Sequence, residues 1–265
     1  MIIKTIVVGL MSALLLVGCH RGGDGAGPLN DRRQAGLIGR VQSARSSASK
    51  LTKESGNWVE GPRGLTQEAI YNSAGNLAEE HFYSTDGFLL FKMAYAYGTN
   101  GKLKQRVSYD PNGAVKEKED YTTDAAGHLI RSQAYSPDDA LRSRSEYAYD
   151  DRGFRIEWVL YNARGATADR RTYAYDERGR RNQESRYFSE GSLDSRYVYT
   201  LDDKGAPIES AKYGDHDKLL EKERYAYEDD PTGNWIKKTS SRWVNGSDNP
   251  DFAPSEVTYR TVTYF

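Results

Sequence analysis

The chain has 265 residues, a net charge of −1 from 37 basic and 38 acidic side chains, and one cysteine. That near balance offers no electrostatic reason to bind nucleic acid, and a lone thiol excludes an intramolecular disulfide. Mean hydropathy of −0.79 with 37% hydrophobic residues leaves little material for a thick two-layer core.

The chain opens MIIKTIVVGLMSALLLVGCH, with Lys4 as a short positive region before an apolar run over residues 6–17. The run is too short to span a bilayer comfortably. Small residues then lead into Cys19 in LVGC, which resembles the lipobox of bacterial lipoproteins. The resemblance implies a signal peptide over residues 1–18, attachment of a diacyl lipid through the Cys19 sulfur, cleavage before Cys19, and acylation of the new amino group with a palmitate-type chain. It also implies membrane attachment through that lipid, and His20 in the following position favours the outer membrane.

Residues 20–50 carry a net charge of +4 and are rich in Gly, Ser, Arg and Ala, while residues 51–265 carry −6. With little hydrophobic periodicity there, residues 19–56 are expected to form a flexible basic tether, drawn to an anionic membrane surface. A short helix over residues 37–51 is the alternative.

From residue 57 the chain repeats itself. Tyrosines at 95, 121, 147, 173, 199 and 225 recur every 26 residues, as do those at 83, 109, 135, 161, 187 and 213. Gly75, Gly101, Gly127, Gly153, Gly179 and Gly205 keep the same step. Each repeat holds two turn signals, such as YDPNG at 109–113 and TDAAG at 123–127, each followed by strand-like residues. Asp or Asn first and Gly fourth is the preference of a type I turn closed by a left-handed glycine. The turn aspartates therefore have a local task, accepting bonds from nearby amides, which leaves little reason to assign them to calcium.

A three-residue hairpin loop pairs residues i and i+4, and with an even period it keeps odd residues opposite odd ones. All eighteen tyrosines from Tyr71 to Tyr227 are odd-numbered. The expectation is one tyrosine-bearing face, with Tyr149 opposite Arg155, Arg155 between Tyr149 and Tyr173, and Glu157 opposite Arg171. The even face reads as polar, apart from an apolar patch of Phe154, Ile156, Trp158 and Leu160 suited to local packing or to docking a partner. The fold predicted is all-β: a repetitive antiparallel meander, a twisted or spiralling single sheet of about thirteen strands over residues 57–238, with residues 239–265 as a carboxyl-terminal cap. A closed barrel is the alternative.

The motifs YAYDDRGF, YAYDERGR and RYAYEDDPTGNW resemble the YD repeats of the Rhs (rearrangement hot spot) family, over about residues 70–240. GNWIKKT at 233–239 and YRTVTYF at 259–265 are similar to the endings of short YD-repeat lipoproteins. The resemblance implies a spiralling β-sheet and secretion or surface exposure. Arg155, Arg181 and Pro207 stand where the family pattern has leucine, and no toxin segment follows the repeats, so no activity is carried over.

His20, His81, His128 and His216 have no metal-site spacing, and no zinc, phosphate-loop or hydrolase motif is present. No catalytic, metal or cofactor residue is assigned; Cys19 is the one site residue, for lipidation. The function expected is a non-enzymatic, lipid-anchored envelope module that binds or scaffolds, with glycan or peptidoglycan as a candidate ligand because Tyr and Arg beside carboxylates suit sugars. The alternatives are an assembly partner of another envelope protein, using sheet edges and the Trp158 patch, and a glycan hydrolase built on carboxylates such as Glu157 and Asp169.

Overall fold

The computed structural model describes residues 30–244 and 251–265. Cys19, the signal segment 1–18 and the tether up to residue 29 lie outside the described residues. A short helix α1 (Asp31–Gln34) leads into β1 (Val41–Glu54), β2 (Asn57–Tyr71), β3 (Leu77–Tyr83), β4 (Leu89–Tyr97), β5 (Leu103–Tyr109), β6 (Val115–Thr123), β7 (Leu129–Tyr135) and β8 (Leu141–Tyr149). The chain continues through β9 (Arg155–Asn162), β10 (Thr167–Tyr175), β11 (Arg181–Tyr187), β12 (Leu193–Leu201), β13 (Pro207–Tyr213), β14 (Leu219–Asp229), β15 (Trp235–Val244) and β16 (Asp251–Tyr264).

Every strand pairs antiparallel with its sequence neighbours, and β16 also pairs with β1, closing a sixteen-strand barrel. The all-β meander of the sequence holds; the open sheet of about thirteen strands does not. Two expected boundaries move with it. The segment read as tether contains β1, neither flexible linker nor helix. The expected cap, 239–265, contains most of β15 and all of β16, so it is wall. The seam pairs Ser43 with Thr263 and Ser49 with Val257, and the Ser43 and Thr263 hydroxyls share a 2.8 Å hydrogen bond. Closure pairs both sides of every strand over most of the wall, but the β1–β2 hairpin continues past it, and residues 57–65 of β2 are paired with β1 alone.

The turns follow the sequence. In Asp110–Gly113 the Gly113 N–H donates to the Asp110 carbonyl at 3.0 Å, and Asp110 Oδ1 accepts from the amides of Asn112 and Ala114 at 2.9 Å. Gly113 sits at φ +84, a region that costs a residue with a Cβ about 1–2 kcal/mol. Asn162 fills the same slot without charge, accepting from Arg164 and Ala166.

What the turns do not announce is a bulge just beyond each of them. Tyr149 pairs with Arg155 as expected, but Ala148 then pairs with Glu157 and Tyr147 with Trp158, leaving Ile156 without a partner. The next hairpin does the same: Tyr161 pairs with Thr167, but Leu160 with Asp169, so Ala168 is extra. One inserted residue reverses the pairing of odd with odd. Two bulges per 26 residues place odd residues of one strand beside even residues of the next. The single tyrosine face is therefore wrong. Tyr83, Tyr109, Tyr135, Tyr161, Tyr187 and Tyr213, which end the short strands, lie on one face with the even residues of the long strands. The other tyrosines of the set, from Tyr71 to Tyr227, lie on the opposite face. Glu157 accordingly faces Thr172, and Arg171 faces Trp158.

The second set of tyrosines is the lumenal one. Burial raises the hydroxyl pKa of Tyr95, Tyr121, Tyr147 and Tyr173, and holds Tyr149 and Tyr199 up at about 12. Side chains converge on the concave side of a closed wall and splay on the convex side, so the more buried face is the inner one.

Two outcomes follow from the turns. Gly113→Ala, with open space around its Cβ, should cost about 1–2 kcal/mol in denaturant melts. Gly179→Ala should cost more, because its Cβ would meet the Phe154 ring at 2.5 Å and unseat that ring from Tyr175.

The turn carboxylates also set a pH response. Amides of Ala114 and Asn112 hold Asp110 below the ordinary carboxylate value; for Asp150 and Asp176, burial opposes the amide and arginine bonds but is outweighed. A depressed folded-state pKa stabilises above the ordinary value of about 3.9 and is lost as pH falls through the lowered one. Circular dichroism from pH 5 to pH 2 should show unfolding in that window, shifted to lower pH in the Asp110→Asn, Asp150→Asn double variant.

Candidate functional site

The inner wall is a belt of tyrosines laced by charge. Tyr95 donates to Glu80, Arg106 binds Glu119 at 2.7 Å and Glu117 at 3.1 Å, and Tyr121 donates to Glu119 at 2.8 Å. Arg155 lies over Tyr173 at 4.8 Å and Tyr147 at 5.8 Å, and Arg181 over Tyr173 at 5.2 Å. Arg155 is thus held between tyrosines, as the sequence suggested, although Tyr147 rather than Tyr149 supplies the second ring. Arg171 bridges Asp169 at 3.0 Å and Glu184 at 3.1 Å; burial works against its charge, and the two carboxylates more than compensate. Lys238 lies 5.5 Å from the Tyr225 ring, its pKa lowered by burial against the opposing pull of Glu256 and Glu223. Arg106 and Arg171 are paired with carboxylates, whereas Arg155 and Lys238 lie against rings, and among the described residues Arg171 Nε and Asp169 Oδ1 have no hydrogen-bond partner.

The outer wall follows the same logic in a different register. Lys92, Arg144, Arg170 and Arg196 stand directly opposite Tyr109, Tyr161, Tyr187 and Tyr213, and cover those rings at 5.6, 4.7, 4.8 and 4.9 Å. Each also reaches a carboxylate: Glu79, Glu146, Glu157 and Asp217 respectively. A lipid-facing barrel wall needs an apolar band about 25 Å tall, and one lysine or arginine at its midplane costs about 2–4 kcal/mol. Among the described residues, the outer wall carries these four cations, each ion-paired. No described helix is long and apolar enough to cross a membrane.

Residues 30–40 run along one rim of the barrel, from the β2–β3 turn to the β14–β15 turn. Asn30 Nδ2 donates to the Ala74 carbonyl at 2.9 Å, and Asp31 Oδ2 accepts from the Leu77 amide at 2.8 Å and from the Tyr97 hydroxyl at 2.5 Å. At the other end of the segment, Asn234 acts as a strand partner: Oδ1 accepts from the Ile38 amide at 2.8 Å, and Nδ2 donates to the Ile38 carbonyl at 2.9 Å. Between these latches Leu37 packs on Val41, Ala69 and Tyr71, the hydrophobic cluster of the described residues. Asn234 belongs to the GNW motif. Its role was not legible in sequence because its partner lies 196 residues away.

The residues singled out from sequence separate. Glu157 is on the outer wall, bound to Arg170 at 2.7 Å, while Asp169 is on the inner wall beside Arg171 and Arg186. Two carboxylates on opposite faces of a sheet cannot share a glycosidic bond, so this pair builds no hydrolase site. The apolar patch also disperses. Phe154 stacks on Tyr175 at 4.9 Å, Trp158 lies under Arg171 at 5.2 Å on the inner wall, and Ile156 projects from the bulge. His81 bonds Glu79 and His128 bonds Asp124 while stacking on Tyr149. Among the described residues, no cluster of three His, Cys, Asp or Glu side chains could hold a metal.

No family model and no curated protein matches the chain. Solved structures do. A porin-like protein from Bacteroides uniformis superposes with a TM-score of 0.58 at 11% identity, over 84% of this chain and 98% of that one. A porin-like protein from Bacteroides vulgatus gives 0.36 at 13% identity, over 66% and 96%. The TcdB2–TccC3–Cdc42 structure gives 0.35 at 15% identity, over 78% of this chain and 11% of that one. Of these three, the first is similar enough to bear on the fold, and at its identity it speaks for the closed barrel alone.

The latch carries its own test. Asn234→Ala removes both bonds to Ile38 and the 2.7 Å bond to the Tyr264 hydroxyl. Hydrogen exchange at residues 36–40 should rise, consistent with about 1–3 kcal/mol for stranding buried polar groups, while the outer strands keep their protection.

Proposed function

We propose that this chain is a lipid-anchored envelope protein of the YD-repeat kind, a closed barrel held at a membrane surface that binds or scaffolds rather than catalyses. The observation that carries this is the combination of LVGC at 16–19 with a barrel wall that is charged on both faces. A wall of ion pairs is unsuited to hydrocarbon, so attachment falls to the acyl chains on Cys19, and more than one chain makes such attachment durable. Ten residues separate Cys19 from Asn30, which is fastened to the turn after β2. At about 3.5 Å per extended residue, that rim would stand within roughly 40 Å of the bilayer surface. His20 after the cysteine favours the outer membrane.

Of the two alternatives, edge pairing with another envelope protein is confined to the one-sided stretch 57–65 of β2, and hydrolysis by Glu157 and Asp169 lacks a shared face. The ion-paired walls support binding through their surfaces. Cys19→Ala should move the protein from the membrane pellet to the soluble fraction. Globomycin, which blocks lipoprotein signal cleavage, should retard the wild type on gels and leave the variant unchanged. Equal membrane retention by the variant would defeat the anchor.

A further inference from the structure

The outer-wall pattern at Tyr109, Tyr161, Tyr187 and Tyr213, a cation over the ring and a carboxylate on the cation, changes at the seam. Arg45 covers the Tyr83 ring at 4.7 Å and Arg63 covers Tyr259 at 4.4 Å, the same stacking as elsewhere. Among the described residues, however, neither guanidinium has a carboxylate within 4.0 Å, whereas Arg144, Arg170 and Arg196 each have one. The nearby acids are otherwise engaged: Glu68 accepts from the Tyr83 hydroxyl at 3.2 Å and Glu60 from the Tyr259 hydroxyl at 2.5 Å. Both arginines line one depression of about 260 Å³ on the outer wall, floored by Ser47, Thr66 and Thr261 and rimmed by the β3–β4 turn at Ser84, Thr85 and Gly87.

The depression exists because β1 and β2 lose register twice, between Ser47 and Ser49 and between Ser49 and Leu51, where Gly61 and Gly64 thin the strand. Stacking fixes the arginine planes, and Arg63 Nη1 also makes a long 3.4 Å hydrogen bond to Ser47 Oγ; the remaining N–H groups are left for a ligand, so little side-chain entropy remains to be lost on binding. Two guanidiniums with hydroxyl donors around them match an oxyanion, and phosphate best, since its three oxygens accept in several directions. The volume admits more than the ion alone.

We propose that this seam depression binds a phosphate monoester, with Arg45 and Arg63 clasping the phosphate and the hydroxyls of Ser47, Thr66 and Thr261 taking the group that carries it. The inference depends on this chain being a binding module and not on its anchorage, so its failure leaves the fractionation of Cys19→Ala untouched.

The test uses the full chain and two carriers of the same group. Calorimetric titration with glucose 6-phosphate is set against glucose, and flotation with phosphatidic acid vesicles against phosphatidylcholine vesicles. Saturable binding of the sugar phosphate, or flotation with phosphatidic acid, that weakens at least tenfold in Arg45→Gln and in Arg63→Gln supports the site, and the arm that responds names the carrier. Arg144→Gln, whose arginine is carboxylate-paired, should leave binding unchanged. Should a glutamine variant melt early, Ser47→Ala with Thr261→Val provides the second reading and should also weaken binding. No saturable binding in either arm, or binding unchanged in the Arg45→Gln, Arg63→Gln double variant, overturns the proposal.

Discussion

The extra residue beyond each turn governs the rest of the barrel. A hairpin loop that closes on a left-handed glycine would alone keep every strand in step with the last. The bulge breaks that step once per hairpin and adds local right-handed twist, which a sheet needs in order to coil and meet itself. Because the bulged residue has no partner, its side chain projects, and Ile130, Ile156, Ile208 and Ile236 are correspondingly exposed. Those isoleucines are the geometric consequence of turning the wall, which is why they do not gather into one docking patch.

The bulges also explain how so polar a chain folds. By sorting tyrosines onto both faces, they give each wall its own lattice of rings, guanidiniums and carboxylates. The hydrophobic cluster is small and sits at one mouth, around Leu37 and Tyr71. Elsewhere, ring stacking and cross-strand ion pairs, each worth a fraction of a kcal/mol to about 1 kcal/mol, are repeated around the barrel. Stability of this kind is distributed, and each hairpin leans chiefly on its two neighbours. Where the repetition ends, at the β1–β2–β16 seam, Arg45 and Arg63 keep their rings but, among the described residues, have no carboxylate within 4.0 Å.

Closure changes what the surface can do. An open meander would present two full edges to any passing strand; this barrel presents walls, a strapped rim, a seam and the short one-sided stretch 57–65 of β2. The Asn30–Asp31 latch at one turn and the Asn234 latch at another commit residues 30–40 to the structure, so a segment composed like a linker serves as a strap.

How much of this could be read from the residues follows the range of the interactions. Turn type and the pairs adjoining each turn, such as Tyr149 with Arg155, rest on residues within about six positions of one another, and the 26-residue period on their recurrence, so composition and spacing carry them. The bulge has no residue signature: Ile, Lys, Arg, Ala, Asp and Leu all fill it, and the parity of the tyrosines fitted an unbulged sheet equally well. The candidate site was less legible still. Arg45 and Ser47 come from a serine-rich stretch with no repeat, and they meet Tyr259 and Thr261 only after the wall has curved through a full turn. Pairing between small polar strands more than 200 residues apart leaves no local trace, because what favours it is the accumulated twist of the fourteen strands between them.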